Sequence, residues 1–458
     1  MTFQTPMLAL ALPQTQPRGQ NGVSFTTKES ALTRRWRVIV GVVVASLCLC
    51  VVLVFWCLFI RLPPYEASAG RSVHNPLFSE MKPQQHIEKE NNLTEERQHD
   101  IEKRFETTRD FHDEKQIVMV LTHFRNGDAC AQTLVDARAT AFLASRVHFR
   151  VFEELYLTQE KTCVQRFCEL KPSDCKQLLR SGQLRTQRRD ASGAVGATVA
   201  RYMAEGLVER KFANDFYLSV DPAVVVFTQQ WDLELLKQWY NVGNDMAILS
   251  VALKSVDLRE LTNSIILVQC SARIHSKSAD AVVAFNPPEP LPRQGAALLS
   301  PVLHTQYSEV FHFGPTRALF EVRSDPHTPF ISVGHEYARA ARFWTHGYDF
   351  YAPNKDTLFA RYQWQEPPLP MSSGAIDDDT DKLRQLRIDK AHRRIRRLLG
   401  LPVSVQDEQL EQPVTYALGS HRTIAAWLHF SGVDPRAAYN ESTTNQFTRC
   451  GKVHYVHY

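Results

Sequence analysis

The stretch GHEYARAARFWTHGYDFYAPNKDTLFARY, residues 334–362, reads as a helix, a tight turn and a strand. Ala338, Ala341, Arg342 and Trp344 keep helical spacing, and the small residues among them allow close packing. His346-Gly347 ends the helix, since glycine accepts the left-handed conformation found past helix ends. Tyr348 to Tyr351 is an aromatic, half-buried strand that Pro353 closes. Glu336 sits on the first helical turn, where the positive end of the dipole favours a carboxylate. A carboxylate there can instead point at a sugar hydroxyl. From composition alone this is a packed helix–strand corner.

Upstream, Gln116-Ile-Val-Met-Val-Leu-Thr122 is a short apolar run suited to a buried parallel strand. A loop with Asn126-Gly127 follows, and Thr133 to Leu143 has helical spacing. Strand, loop and helix open a nucleotide-binding α/β sheet, whose ligands lie at the carboxyl ends of the strands. Val147 to Tyr156 is a second strand, and residues 163–175 form a loop or short helix. Gly193 and Gly196 lead into a helix that carries Arg201, without the Gly-Lys-Ser/Thr of a Walker loop. Asn214-Asp-Phe-Tyr-Leu-Ser-Val-Asp221 is an apolar strand that ends at an aspartate, and Trp231-Asp232 follows. Residues 286–293 read as a proline-rich loop, and Lys382 to Leu399 as a basic helix with a solvated face, stopped by Gly400.

Gly-x-Glu followed by Ala-Arg-x-Trp-Thr-x-Gly-Tyr-Asp-Phe-Tyr-x-Pro resembles the signature of the polypeptide α-N-acetylglucosaminyltransferases of protists and bacteria. These have a glycosyltransferase-A fold. The likeness continues at His123-Phe-Arg-Asn126 with Cys130, at Gly196 to Arg201, at Ala417-Leu-Gly-Ser-His-Arg422 and at Ser431-Gly-Val-Asp434. It implies an α/β, Rossmann-like lumenal domain that transfers N-acetylglucosamine from UDP-GlcNAc to Thr, Ser or hydroxyproline of secretory polypeptides. It implies Glu336 and Asp221 as catalytic residues, and Arg125, Arg201 and Asp221 around the nucleotide. Trp344, Tyr348 and His335 would line the substrate pocket, and Asp221, with His346 as a weaker second, would hold Mn2+. The metal would stabilise the charge that develops on the leaving diphosphate.

The chain departs from the family where the metal should bind. Ala223 stands at the second position of the expected Asp-x-Asp or Asp-x-His pair, and Ala360 where a further histidine ligand is expected. A methyl group ligates no metal. Three readings follow: an active transferase, one that neutralises the diphosphate with Arg and Lys, and a non-catalytic partner of an active transferase.

At 458 residues, 44% of them hydrophobic, the chain has material for one large α/β domain plus accessory parts. A net charge of +4 gives no strong nucleic-acid footprint. Val38 to Ile60 is 23 residues without a charge, long enough to span a bilayer. Lys28, Arg34, Arg35 and Arg37 precede it and only Arg61 follows closely, so the positive-inside rule gives a type II signal anchor. The expected organisation is a cytosolic tail (1–37), the membrane anchor (38–60), a charged stalk (61–112), the glycosyltransferase-A-like domain (113–366) and a C-terminal helical extension (367–458). The expected location is the Golgi membrane, with the large domain in the lumen. Six cysteines follow the anchor, which in an oxidising lumen implies disulfides of open connectivity. Asn92-Leu-Thr and Asn440-Glu-Ser are glycosylation sequons on the same side.

Overall fold

The computed structural model describes residues 114–220, 225–275, 279–294, 300–361, 378–404 and 416–436, with a few single positions besides. The tail, the anchor at 38–60, almost all of the stalk and both sequons lie outside the described residues. Among the described residues no helix is long and apolar enough to cross a membrane.

The strands are β1 (Ile117–Phe124), β2 (Val147–Leu155), β3 (Leu184–Asp190), β4 (Phe216–Val220), β5 (Val225–Phe227), β6 (Ala247–Ser250) and β7 (Ile265–Val268). They continue with β8 (Ala272–Ile274), β9 (Val283–Phe285), β10 (Glu289–Pro292), β11 (Val302–His304), β12 (Phe311–Pro315), β13 (Asp349–Ala352) and β14 (Leu358–Ala360). The helices are α1 (Gly127–Thr140), α2 (Cys163–Leu170), α3 (Pro172–Ser181), α4 (Ala197–Glu205), α5 (Trp231–Val242), α6 (Arg317–Glu321), α7 (His335–Thr345), α8 (Asp378–Leu398) and α9 (Ile424–Ser431).

Eight strands form one sheet in the order β11-β13-β6-β12-β4-β1-β2-β3. β3, β2, β1 and β4 run parallel, as do β6 and β13. β12 is antiparallel to both β4 and β6, which makes those two point the same way. The carboxyl ends of β1, β4, β6 and β13 therefore share one edge. This is the mixed α/β sheet that the alternation of apolar runs and helical segments predicts. β1 reads as a near-continuous apolar run because both of its faces are covered, whereas β2 is equally buried but carries Arg150, Glu153 and Glu154.

One face packs α1, α2 and α5 around Leu121, Phe149, Trp231 and Phe313. Asn126 caps α1 by accepting from the Ala129 amide, and Thr162 with Gln165 closes a capping box on α2. Trp231-Asp232 is structural: the buried Asp232 carboxylate accepts the Phe142 and Leu143 amides and pairs with Arg146. Cys130 bonds Cys163, tying α1 to α2, and Cys168 bonds Cys175; Cys270 is disulfide-bonded as well. The first bridge closes a separation of 33 residues. Losing it in C130S/C163S is expected to lower stability by about 3–4 kcal/mol, read as a drop in melting temperature.

The other face holds α4, α7, α8 and α9. Trp344 of α7 stacks on Phe430 at 5.2 Å and meets Trp427 at 5.7 Å, both on α9. Arg422 forks onto Asp349 at 2.8 and 3.1 Å, a fully buried bidentate pair. Gly419 lies so close to the end of α7 that a Cβ would fall 2.4 Å from the Thr345 carbonyl oxygen. That contact gives the Leu-Gly-x-x-Arg pattern its physical sense. G419A is expected to unseat α9 and to cost more than about 2 kcal/mol, measured by urea unfolding. The C-terminal helices complete this core.

Two expectations are corrected. The basic helix is solvated only along its first half; Ala391, Arg394 and Ile395 of α8 are buried, with Arg394 on Asp325 at 2.7 Å. The proline-rich stretch is not a loop throughout. Glu289 to Pro292 forms β10, which pairs only with β7, and prolines are tolerated at such an edge.

Candidate active site

The register shows what meets at the carboxyl edge. Leu121 of β1 pairs with Val220 at the end of β4, and Val220 pairs with Phe311 at the start of β12. The turn 308–310 therefore lies beside the end of β4, where Asp221 follows. Ser250 at the end of β6 fastens that turn: its hydroxyl accepts the Ser308 amide at 2.9 Å and donates to the Phe311 carbonyl at 3.0 Å. Past residue 224 the chain resumes as β5, and Ala360 of β14 pairs with Val225.

Gly334 starts α7 with φ +89°, and a Cβ there would fall 2.8 Å from Val282. The helix begins at the carboxyl edge and its end feeds β13, which starts at the opposite edge. Glu336 is therefore at the site. Its Oε1 accepts the Glu309 amide at 3.0 Å. Burial pushes its carboxyl up to about 7, and the nearby Glu309 charge adds to this. His335 keeps some solvent contact but is crowded by protein, and burial followed by the Arg201 charge lowers it to about 4.

Behind them lies a buried network that the sequence reading missed. Glu309 accepts from the Tyr307 hydroxyl at 2.8 Å and from Arg339 at 3.2 Å, and Arg201 lies 3.4 Å away. Burial alone would raise its pKa; Arg201 and Arg339 more than offset that and hold Glu309 well below the usual carboxylate range. Arg339 also donates to Glu205 at 2.6 Å and to Ser324 at 2.8 Å. His312 bridges the Tyr307 and Tyr217 hydroxyls at 3.1 and 2.9 Å. Two carboxyls side by side thus have opposed proton affinities, Glu309 ionised and Glu336 poised near neutrality.

The remaining expected site residues separate into two groups. Arg125 stands at the carboxyl edge, with φ +52°, its Nε on Glu160 at 2.8 Å and its guanidinium 4.6 Å from the Tyr156 ring centre. Arg201 reaches the same edge through Glu309. Asp221 and Ala223 lie outside the described residues. Trp344 and Tyr348 are fully buried at the far end of α7, in core packing rather than on an open pocket wall. The Tyr348 hydroxyl donates to Glu321 at 2.6 Å. His346 caps the same far end, with Nδ1 on the Arg342 carbonyl at 2.7 Å, about 16 Å along the helix from His335.

A divalent ion finds no donor set among the described residues. Ala360 offers none, and the only three-ligand grouping there is His123, Cys130 and Cys163, whose cysteines are bonded to each other.

The family model for Glycosyltransferase (GlcNAc) matches residues 116–437. The chain belongs to that family. The matched span of this glycosyltransferase runs from the start of β1 to just past α9, so it contains the whole sheet edge described above. No curated protein matches it. Among solved structures it is similar to GalNAc-T7 with UDP, GalNAc and Mn2+ (12% identity, TM-score 0.39), covering 62% of this chain and 48% of that one. It is also similar to S. aureus TarS 1-349 with UDP-GlcNAc (11%, TM-score 0.33; 64% and 69% covered). The mannosyltransferase PcManGT from Pyrobaculum calidifontis, with GDP-Man and Mn2+, gives 7% and 0.32, with 67% and 74% covered. The chain spans about half the length of the first of these.

Proposed function

We propose that this glycosyltransferase-family chain moves N-acetylglucosamine from UDP-GlcNAc to a hydroxyl of Thr, Ser or hydroxyproline in secretory polypeptides. The observation that carries the reading is Glu336: a carboxyl poised near neutrality, held by the Glu309 amide at the carboxyl edge of the sheet. Nucleotides bind at that edge in open α/β sheets. Near neutral pH such a group can accept a hydrogen bond from a sugar or acceptor hydroxyl and take up its proton. Arg201 supplies positive charge beside it, and Arg125 stands on the same edge past the end of β1. Arg201 keeps a buried Nη1 without a partner, a donor suited to a phosphate oxygen. With alanine at 360, charge on the leaving diphosphate is neutralised by arginine rather than by a complete metal site.

In the same reading the charge-free segment 38–60 is a type II anchor and the domain works in the Golgi lumen. Protease added to sealed microsomes then leaves residues 61–458 protected, and their digestion would overturn that topology. The transfer itself is tested with the full-length chain, UDP-GlcNAc and Thr-, Ser- or hydroxyproline-containing peptides. The expected product is α-linked N-acetylglucosamine. Transfer from another nucleotide sugar in preference would overturn the donor assignment.

A second reading rests on Ala360 and the lack of a metal donor set among the described residues: a non-catalytic relative that binds an active transferase. It predicts a hetero-oligomer with such an enzyme and no transfer by this chain alone.

A further inference from the structure

A recess of about 30 Å³ lies between α4, α7, α8 and the turn at 324–328. A water needs about 10–15 Å³, so the space suits one or two very small occupants. What lines it is unusual in its hydrogen-bonding sense. Thr198 Oγ1, His335 Nδ1, Arg339 Nε, and Arg342 Nε and Nη2 are all buried without a partner. The guanidinium atoms are donors only, the hydroxyl can donate, and the imidazole nitrogen can carry the proton. The two acids on the wall are already engaged: Glu309 with Tyr307 and Arg339, and Asp325 with Arg394. Buried polar groups seldom go unsatisfied, and one water accepts only two hydrogen bonds.

The charges agree. Arg339, Arg342 and Arg394 face Glu309 and Asp325, three cations to two anions. Just outside, Arg201 and Glu205 cancel each other, on Glu309 and Arg339 respectively. Of the three recess arginines, Arg342 is the one with no ion pair among the described residues. It is only 2% exposed, and its one close bond is Nη1 to the Arg323 carbonyl. Burial, and then the Arg339 charge, push its pKa down to about 10, which Asp325 and Glu205 do not make up.

We infer that this recess binds one monovalent, halide-sized anion, held by the N–H groups of Arg339 and Arg342 and the Thr198 hydroxyl. A phosphate or sulfate is too large and carries too much charge for a recess with one unpaired guanidinium, that of Arg342. The anion supplies the missing acceptors and fixes α7, the helix that carries Glu336, against α8. Because only the folded chain has the site, halide raises stability by mass action.

Two measurements on the full-length protein test this. Crystals grown with sodium bromide are expected to show an anomalous peak in the recess, within hydrogen-bonding distance of Arg342. Melting temperature is expected to rise from gluconate to chloride or bromide at equal ionic strength, and T198V to blunt the rise. T198V removes one hydroxyl and no charge, so it still folds. A recess holding only water in bromide, or equal melting in gluconate and chloride, would overturn the proposal.

Discussion

Glu336→Gln lowers transfer by about 10²–10⁴-fold, the range spanned by losing one general acid or base, while the variant remains folded. Glutamine still accepts the Glu309 amide but takes up no proton. The stability of the variant carries a sign that separates this cause from misfolding. Burial raises the native Glu336 carboxyl to about 7 from its ordinary 4.5. Between those two values the native state holds a proton that the unfolded chain has released, so wild-type stability falls as pH rises from 4.5 through 7. Above that window ionised Glu336 costs up to about 3 kcal/mol, less whatever the partial solvent contact screens. E336Q has no such cost. Urea midpoints should therefore place it level with wild type near pH 4.5 and above it at pH 8. A variant less stable at both would mean that the carboxyl is structural.

Arg339→Met is the largest stability change expected, about 3–5 kcal/mol. It leaves Glu205 buried without its 2.6 Å cationic partner and strips Glu309 of one of its two, Arg201 remaining at 3.4 Å. Breaking a buried pair from one side strands a charge, whereas removing the whole set does not. E205Q/R339M, which leaves Glu309 with Arg201, should accordingly recover much of the loss, measured by thermal melting of the double variant against R339M. Equal melting of the two would show that packing of the Arg339 stem, not its charge, dominates.

The sequence announced the sheet well because its signals are local. The apolar runs at 117–124 and 216–220 are strands that burial on both faces requires, and Gly334 and His346-Gly347 bound α7 as their conformational freedom dictates. The place of Glu336 on the first turn of α7 was legible, because position along one helix sufficed. The site was misread where a residue's exposure depends on distant chain. Trp344 and Tyr348 read as aromatic walls, yet α9 and Glu321, 83 and 27 residues away, cover them. The Glu205–Arg339–Glu309 network gave no signal, because its members are 134 and 30 residues apart and carry no motif. The register that sets Ala360 against Val225 is equally non-local, spanning two strands joined by most of the domain.

The central claim is that this fold edge holds a uridine diphosphate group by arginine charge. Calorimetry of the full-length chain in detergent, titrated with UDP in EDTA and then in manganese, tests it most directly. The account predicts binding of similar affinity under both conditions. Binding that appears only with manganese would mean that a metal site forms after all, and no binding under either, in a folded sample, would leave the non-catalytic partner.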